Sequence, residues 1–129
     1  MKIKLAVISS HPIQYNAPFF KLIAKSNNLQ IKVFYTWGDS VLGNKYDPGF
    51  GKSINWDIPL LEGYEYLFEK NIATKPGSHH YAGIDNPELM DHIKEWQADA
   101  ILVYGWAFKS HFQCLRYFHK KIPVYFRGD

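Results

Sequence analysis

The feature that most constrains the fold of this chain is a short, nearly continuous apolar run at residues 3–8. The run is partly β-branched, and polar, turn-forming residues follow it at once, from Ser9 to Asn16. Such a run is typical of a strand buried on both faces, as the strands of parallel sheets are. We therefore predict a buried first strand over Lys2–Ser9 with a polar loop after it.

Predicted strands and helices alternate along the rest of the chain. The further apolar or alternating segments that predict strands are 29–35, 64–68, 99–104 and 122–126. This alternation indicates an α/β fold, with a Rossmann-like, mostly parallel sheet of about five strands and helices on both faces.

Each predicted helix has an apolar stripe. Asn16 and Asn86 are the predicted N-caps of the first two helices, each with a proline in the turn that follows. The predicted buried stripes are Phe19, Leu22 and Ile23 in the first helix, Leu89, Met90, Ile93 and Trp96 in the second, and Phe108, Phe112, Leu115 and Phe118 in the third. The segment 37–53 has several glycines and no periodicity, which predicts a long loop with a functional role.

The composition and charge narrow the classes of function that the chain can have. The chain has 129 residues and a net charge of +3, from 15 basic and 12 acidic residues. The basic residues are scattered along the sequence, which argues against nucleic acid and suits anionic small molecules or an anionic membrane surface. The one cysteine, Cys114, lies in a helix pattern and is predicted to be a small buried hydrophobe in a reducing compartment. No segment approaches the ~20 apolar residues of a membrane helix, so we expect a soluble, cytoplasmic protein. Its mildly basic charge would also suit contact with the inner face of a membrane.

Polar groups follow three of the predicted strands. The candidate site residues are His11, Gln14 and Tyr15 after the first strand, Gly105 and Trp106 after the fourth, and Arg127 and Asp129 after the fifth. In a parallel sheet these positions share one edge, where open α/β sheets bind ligands. The alternative is that turns simply favour polar residues and glycine.

His11 is the candidate catalytic residue, because an imidazole can exchange a proton with a hydroxyl or a phosphate near neutral pH. Gly105 would let the backbone approach a ligand closely, and Arg127 offers a planar fork to phosphate or carboxylate.

Several other kinds of site are excluded by the sequence. The Gly51-Lys52-Ser53 triplet lacks the earlier glycine of a phosphate-binding loop, no GxGxxG follows the first strand, and no Cys or His has zinc spacing. We therefore predict no metal site.

Several of these segments together resemble the N-terminal domain of GT-B fold glycosyltransferases of the family 4 (group 1) type. The segments that carry the resemblance are HPIQYNAPFFKLIA at 11–24, Trp56–Tyr64, Tyr104–Trp106 and Tyr125–Asp129. The resemblance implies two Rossmann-like domains facing across a cleft, of which residues 1–129 form the N-terminal, acceptor-side half.

The resemblance also implies a retaining transfer without a metal or other cofactor, from a sugar nucleotide held mainly by a C-terminal domain to a glycan or lipid-linked acceptor. His11 and Gln14 would face the transferred sugar and the attacking hydroxyl. The acceptor cleft would be lined by Gly105, Trp106 and Arg127. The paired glutamates of the donor half, with seven residues between them, do not occur here. The alternative function is a stand-alone α/β ligand-binding or regulatory module without catalysis.

Overall fold

The computed structural model describes residues 3–10, 17–37, 46–47, 52–53, 63–74, 81–105 and 108–127. The strands are β1 (Ile3–Ser9), β2 (Leu29–Tyr35), β3 (Tyr46–Asp47), β4 (Lys52–Ser53), β5 (Glu65–Phe68), β6 (Ala100–Tyr104) and β7 (Val124–Arg127). The helices are α1 (Ala17–Ala24), α2 (Leu89–Trp96) and α3 (Lys109–Phe118), with a 3-10 turn at Tyr81–Gly83.

Five of the strands form one parallel sheet in the order β5-β2-β1-β6-β7. The prediction of a Rossmann-like α/β fold is therefore confirmed. The chain starts in the centre of the sheet, builds outward through β2 and β5, and then crosses back to build the other side through β6 and β7. The remaining strands, β3 and β4, form a separate two-residue antiparallel pair inside the segment that was predicted as a loop.

Alternate side chains of the central strands form two apolar clusters, one on each face of the sheet. The first cluster is covered by α2 and α3, and its fully or nearly fully buried members are Ala6, Ile8, Phe34, Leu89, Ile93, Ile101, Val103, Cys114 and Phe118. The second is covered by α1, and its members are Val7, Phe20, Ile31, Val33, Tyr35 and Tyr104. β1 contributes to both clusters, which explains why its sequence is apolar at successive positions.

The predicted stripe of α1 is wrong by one residue. Leu22 is 69% exposed and Phe19 is 46% exposed, whereas Phe20 is buried in the core. Two adjacent phenylalanines allow two apolar stripes at helical spacing, and the sheet selects the one formed by Phe20, Ile23 and Ala24.

The predicted stripe of α3 is partly wrong: Phe118 is buried and Leu115 packs against the first cluster, but Phe112 is exposed. The buried residues of this helix are Ser110, His111, Cys114 and Phe118, while Phe112 lies on the solvent side. The positions 110, 111, 114 and 118 have the spacing of one helix face, but the first two are polar, so hydropathy alone selects another face. Cys114 is buried as predicted, and burial raises the pKa of its thiol to about 12.

The predicted cap of α2 is corrected as well. The helix begins at Leu89, its N-cap residue Glu88 makes no side-chain cap, and the Asn86 side chain bonds elsewhere. Among the helices in the described ranges, none is both long enough and apolar enough to cross a membrane.

Candidate functional site

The candidate site is the edge of the sheet where the parallel strands end. The register of the ladders aligns the last residues of the strands in one row across this edge: Phe68, Tyr35, Ser9, Tyr104 and Arg127. We call this edge the carboxyl rim. The row joins positions up to 118 residues apart in sequence (Ser9 and Arg127) on one side of the sheet.

The order of the strands reverses between β1 and β6. β1 is followed along the chain by β2 on one side, and β6 is followed by β7 on the other. In open parallel sheets this reversal opens a crevice, because the connections after the two neighbouring strands leave in opposite directions. Ser10 and Gly105 are the described residues at which the chain leaves β1 and β6.

Two of the predicted site residues lie within the described part of the chain, and both are on the carboxyl rim. The Gly105 backbone N–H donates to the Arg127 carbonyl oxygen at 2.8 Å. The guanidinium carbon of Arg127 lies 5.5 Å from the centre of the Tyr104 ring, within cation–π range. The other five predicted residues, His11, Gln14, Tyr15, Trp106 and Asp129, lie outside the described residues, as does most of the 37–53 segment.

Gly105 has a backbone φ of +79°, in the left-handed region that favours glycine. This conformation turns the chain sharply at the end of β6. The backbone alone therefore favours a glycine at this position, whether or not a ligand approaches it.

A buried histidine, which the sequence did not indicate, lies next to the carboxyl rim and hydrogen-bonds to its backbone. His111 of α3 is 0% exposed, and its Nδ1 lies 3.0 Å from the Tyr104 carbonyl oxygen and 2.8 Å from the Gly105 carbonyl oxygen. Two carbonyl acceptors require that Nδ1 carries the proton. Nε2 is then the acceptor, and it receives a hydrogen bond from the Thr36 hydroxyl at 2.8 Å.

Thr36 connects this histidine to the other strands of the rim. Its backbone N–H donates to the Ser9 carbonyl oxygen at 2.9 Å. Its own carbonyl oxygen accepts from Asn86 Nδ2 at 3.0 Å, and the same amide donates to the Lys70 carbonyl oxygen at 2.9 Å. The Asn86 amide thus continues the β2–β5 ladder beyond the last residues of the two strands.

A comparison with protein-family models, curated proteins and solved structures found no match.

A second polar pair lies at the β5 end of the rim. Glu69 is buried, and its Oε2 accepts from His92 Nδ1 at 2.7 Å. Burial raises the pKa of the Glu69 carboxyl, and the hydrogen bond to Glu69 raises the pKa of His92. Glu88 lies 3.9 Å from the other ring nitrogen. Across the described ranges, no group of three or more His, Cys, Asp or Glu side chains could hold a metal ion.

The sequence offered only weak signals for the residues beneath the rim. Ser110 and His111 occupy the buried face of an amphipathic helix, where polar residues are uncommon. The signal would have been polar residues at the buried positions of a helix that follows a predicted strand. This signal can be recognised only after the buried face of the helix is known.

The buried state of His111 predicts a pH dependence of stability. Burial lowers the pKa of His111 to about 4, against an ordinary value near 6.5. Between these values the unfolded chain binds a proton that the folded chain does not, so the contribution of His111 to stability is lost as the pH falls through this window. The loss should reach about 3 kcal/mol when complete.

The measurement is urea unfolding of the wild-type chain and the His111→Asn variant between pH 7 and pH 4. The difference between the two isolates His111, because the contributions of Glu69 and His92 are common to both chains. The wild-type advantage should shrink as the pH falls. An advantage that stays constant across this range would contradict the assignment of a neutral, buried His111.

Proposed function

We propose that this chain is the acceptor-binding domain of a retaining glycosyltransferase, which transfers a sugar from a sugar nucleotide to a glycan or lipid-linked acceptor. The observation that carries the proposal is the reversal of strand order between β1 and β6. The segment with His11, Gln14 and Tyr15 follows β1 in the sequence, and Gly105 and Trp106 follow β6. These are the two segments expected to border a ligand crevice.

The chemistry of the rim also supports a polar, anionic ligand. Arg127 ends β7 next to Gly105, and a guanidinium can bind the phosphate of a lipid-linked acceptor through two parallel hydrogen bonds.

The proposed roles follow the resemblance at the residues that match it. His11 and Gln14 face the transferred sugar and the attacking hydroxyl. Gly105, Trp106 and Arg127 line the acceptor cleft, Tyr15 and Asp129 border it, and the 37–53 segment contributes to the choice of acceptor. The sugar nucleotide is held mainly by a second, C-terminal domain. The reaction is proposed to take place in the cytoplasm, on acceptors at or near the membrane.

Replacing His11 with alanine in the complete enzyme should lower turnover more than tenfold. A tenfold loss corresponds to about 1.4 kcal/mol of transition-state stabilisation, which is a modest expectation for a residue that contacts the reacting groups. The measurement is release of nucleoside diphosphate from a panel of sugar nucleotides in the presence of glycan and lipid-linked acceptors.

The matched control is His80→Ala, which makes the same chemical change at a histidine that is not one of the candidate site residues. Turnover of this variant should equal that of the wild type. Equal turnover of His11→Ala and wild type would remove His11 from the mechanism. If no sugar nucleotide releases diphosphate while a ligand still binds at the rim, the chain is a binding module and the transferase proposal fails.

A further inference from the structure

A buried carboxylate lies just beyond the end of β5, and the proposed reaction makes no use of it. The Glu69 side chain is 0% exposed, whereas a glutamate is almost never fully buried unless it is paired. Its Oε2 accepts a hydrogen bond from His92 Nδ1 at 2.7 Å. Within the described ranges its other oxygen, Oε1, has no hydrogen-bond partner. The buried charge of Glu69 therefore depends on His92.

His92 lies between two carboxylates. Its side chain is 33% exposed, its Nδ1 faces Glu69, and its Nε2 lies 3.9 Å from Glu88 Oε2. Only the imidazolium carries an N–H on both ring nitrogens and a positive charge for both partners. This geometry favours the protonated ring, and the hydrogen bond to Glu69 raises the pKa of His92 above its ordinary value of 6.5.

The other charged or titratable groups around the pair do not replace His92. Lys32 of β2 is the other cation in the described part of the chain that acts on Glu69, and its Nζ lies 3.5 Å from Glu65 Oε2. The remaining groups that face the pair are acidic or neutral: Glu88 and Glu95 of α2 and Cys114 of α3. When His92 loses its proton, the core therefore keeps a carboxylate without a compensating charge, which destabilises the folded state.

The first turn of α2 depends on contacts such as this one. α2 has only eight residues, and its N-cap residue Glu88 makes no side-chain cap hydrogen bond. A helix this short is not stable by itself, so tertiary contacts must hold its first turn in place. The buried residues of the helix are Leu89 and Ile93, and His92 lies between them in sequence. A change in the charge of His92 therefore acts on the segment that joins α2 to the sheet.

Asn86 connects this first turn to the carboxyl rim. The Leu89 N–H donates to the Asn86 carbonyl oxygen at 3.2 Å. The Asn86 side-chain amide donates to the carbonyl oxygens of Thr36 and Lys70, which follow β2 and β5. A movement of the first turn of α2 would therefore disturb the end of the rim that β2 and β5 form.

We propose that Glu69 and His92 form a pH-sensitive switch, which holds the first turn of α2 on the carboxyl rim while the pair is protonated and releases it as the pH rises above neutral. The folded chain binds the proton of His92 more tightly than the unfolded chain does. The stabilisation is therefore complete below about pH 6.5 and is lost as the pH rises through the titration of folded His92. Burial also raises the pKa of Glu69, so both members of the pair lose stabilisation in the same direction.

This direction is opposite to that of His111, whose contribution to stability is lost as the pH falls towards 4. The two effects therefore lie on opposite sides of neutrality and can be measured separately. The switch does not depend on the proposed transfer reaction.

The test is amide hydrogen exchange of the wild-type chain at about pH 6 and about pH 8, with each rate divided by that of an unfolded chain at the same pH. The protection of the His92 and Ile93 amides should fall at least about fivefold between the two conditions, since one proton changes an equilibrium by up to about tenfold per pH unit. Equal protection in both conditions would overturn the proposal. Equal protection of α2 and of the centre of β1 at about pH 8 would overturn it too, because α2 would then open only when the whole chain unfolds.

Two isosteric substitutions identify the group responsible. Glu69→Gln removes the buried charge and keeps the shape of the side chain, so the protection of α2 should change less than about twofold between the two conditions. Glu95→Gln makes the same chemical change at an exposed residue of α2, and it should keep the wild-type dependence on pH. A wild-type dependence in Glu69→Gln, or its loss in Glu95→Gln, would overturn the assignment to the Glu69–His92 pair.

NMR of the histidine rings reports the proton directly. The His92 signal is identified by its absence in His92→Gln. Its titration midpoint should lie above pH 6.5 in the wild type and should fall in Glu69→Gln. A wild-type midpoint at or below this value would overturn the proposal. Thermal unfolding at about pH 6 checks that each variant folds, and the wild-type exchange and titration decide the proposal even if Glu69→Gln does not.

Discussion

Replacing His111 with alanine should lower the free energy of unfolding by about 3 kcal/mol. The imidazole is completely buried and satisfies the Tyr104 and Gly105 carbonyl oxygens and the Thr36 hydroxyl. Alanine removes all of these hydrogen bonds and leaves a cavity beside the apolar core. Urea unfolding at pH 7, where His111 is neutral, gives the free-energy difference directly.

Three further variants separate hydrogen bonding from packing. Asparagine can place an amide N–H near the position of Nδ1, so His111→Asn should recover part of the loss. Phenylalanine fills the space but donates nothing, so His111→Phe should stay nearly as unstable as the alanine variant. His119→Ala, at the exposed end of the same helix, should lie within about 0.5 kcal/mol of the wild type. If phenylalanine restored wild-type stability, His111 would be a packing residue and not the support of the rim.

The effect on the rim can be measured separately from global stability. The Gly105 N–H donates to the Arg127 carbonyl oxygen, and the carbonyl oxygen of the same glycine accepts from His111 Nδ1. Hydrogen exchange at the Gly105 amide should therefore accelerate in His111→Asn more than exchange at amides in the centre of β1. His111 is in this sense a positioning residue for the proposed site.

The sheet could be predicted from the sequence because its signal is local. β1 and β6 are apolar at successive positions, and this pattern is typical of a short strand that is covered on both faces. The parallel direction of the strands followed from the helices between them. The buried faces of α1 and α3 could not be predicted in this way. In α1 two adjacent phenylalanines allow two apolar stripes, and in α3 the buried face carries the polar Ser110 and His111.

The edge at which the candidate site lies was also predictable, since parallel strands that are joined by crossovers end on the same side. The residues that hold this edge together were not. The hydrogen bond between Thr36 and His111 joins residues 75 positions apart. Nothing in the immediate sequence of a threonine or a histidine distinguishes a buried partner from an exposed residue of a loop or helix surface.

One substitution of Asn86 tests the capping role predicted from the sequence against the hydrogen bonds seen in the structure, because the two predict opposite effects on stability. As the cap of α2, it would tolerate aspartate, since Asn, Asp and Ser are nearly equal as N-caps. In the structure its Nδ2 instead donates to the carbonyl oxygens of Thr36 and Lys70, and it is 5% exposed. Asn86→Asp should therefore lower the free energy of unfolding by about 3 kcal/mol at pH 7, because it buries a carboxylate against two carbonyl oxygens.

Serine and alanine at this position complete the test. Both lack the amide, so each should cost about 2 kcal/mol, less than aspartate because neither buries a charge. A cap would give a different order, with aspartate and serine close to the wild type and alanine alone destabilised by about 1 kcal/mol.

The pH dependence of the Asn86→Asp variant also distinguishes the two roles. Burial would raise the pKa of the new carboxyl, so the unfolded chain releases its proton at a lower pH than the folded chain, and the penalty of Asn86→Asp should fade as the pH falls towards 4. A capping aspartate would instead be most favourable when ionised, so acid would weaken it.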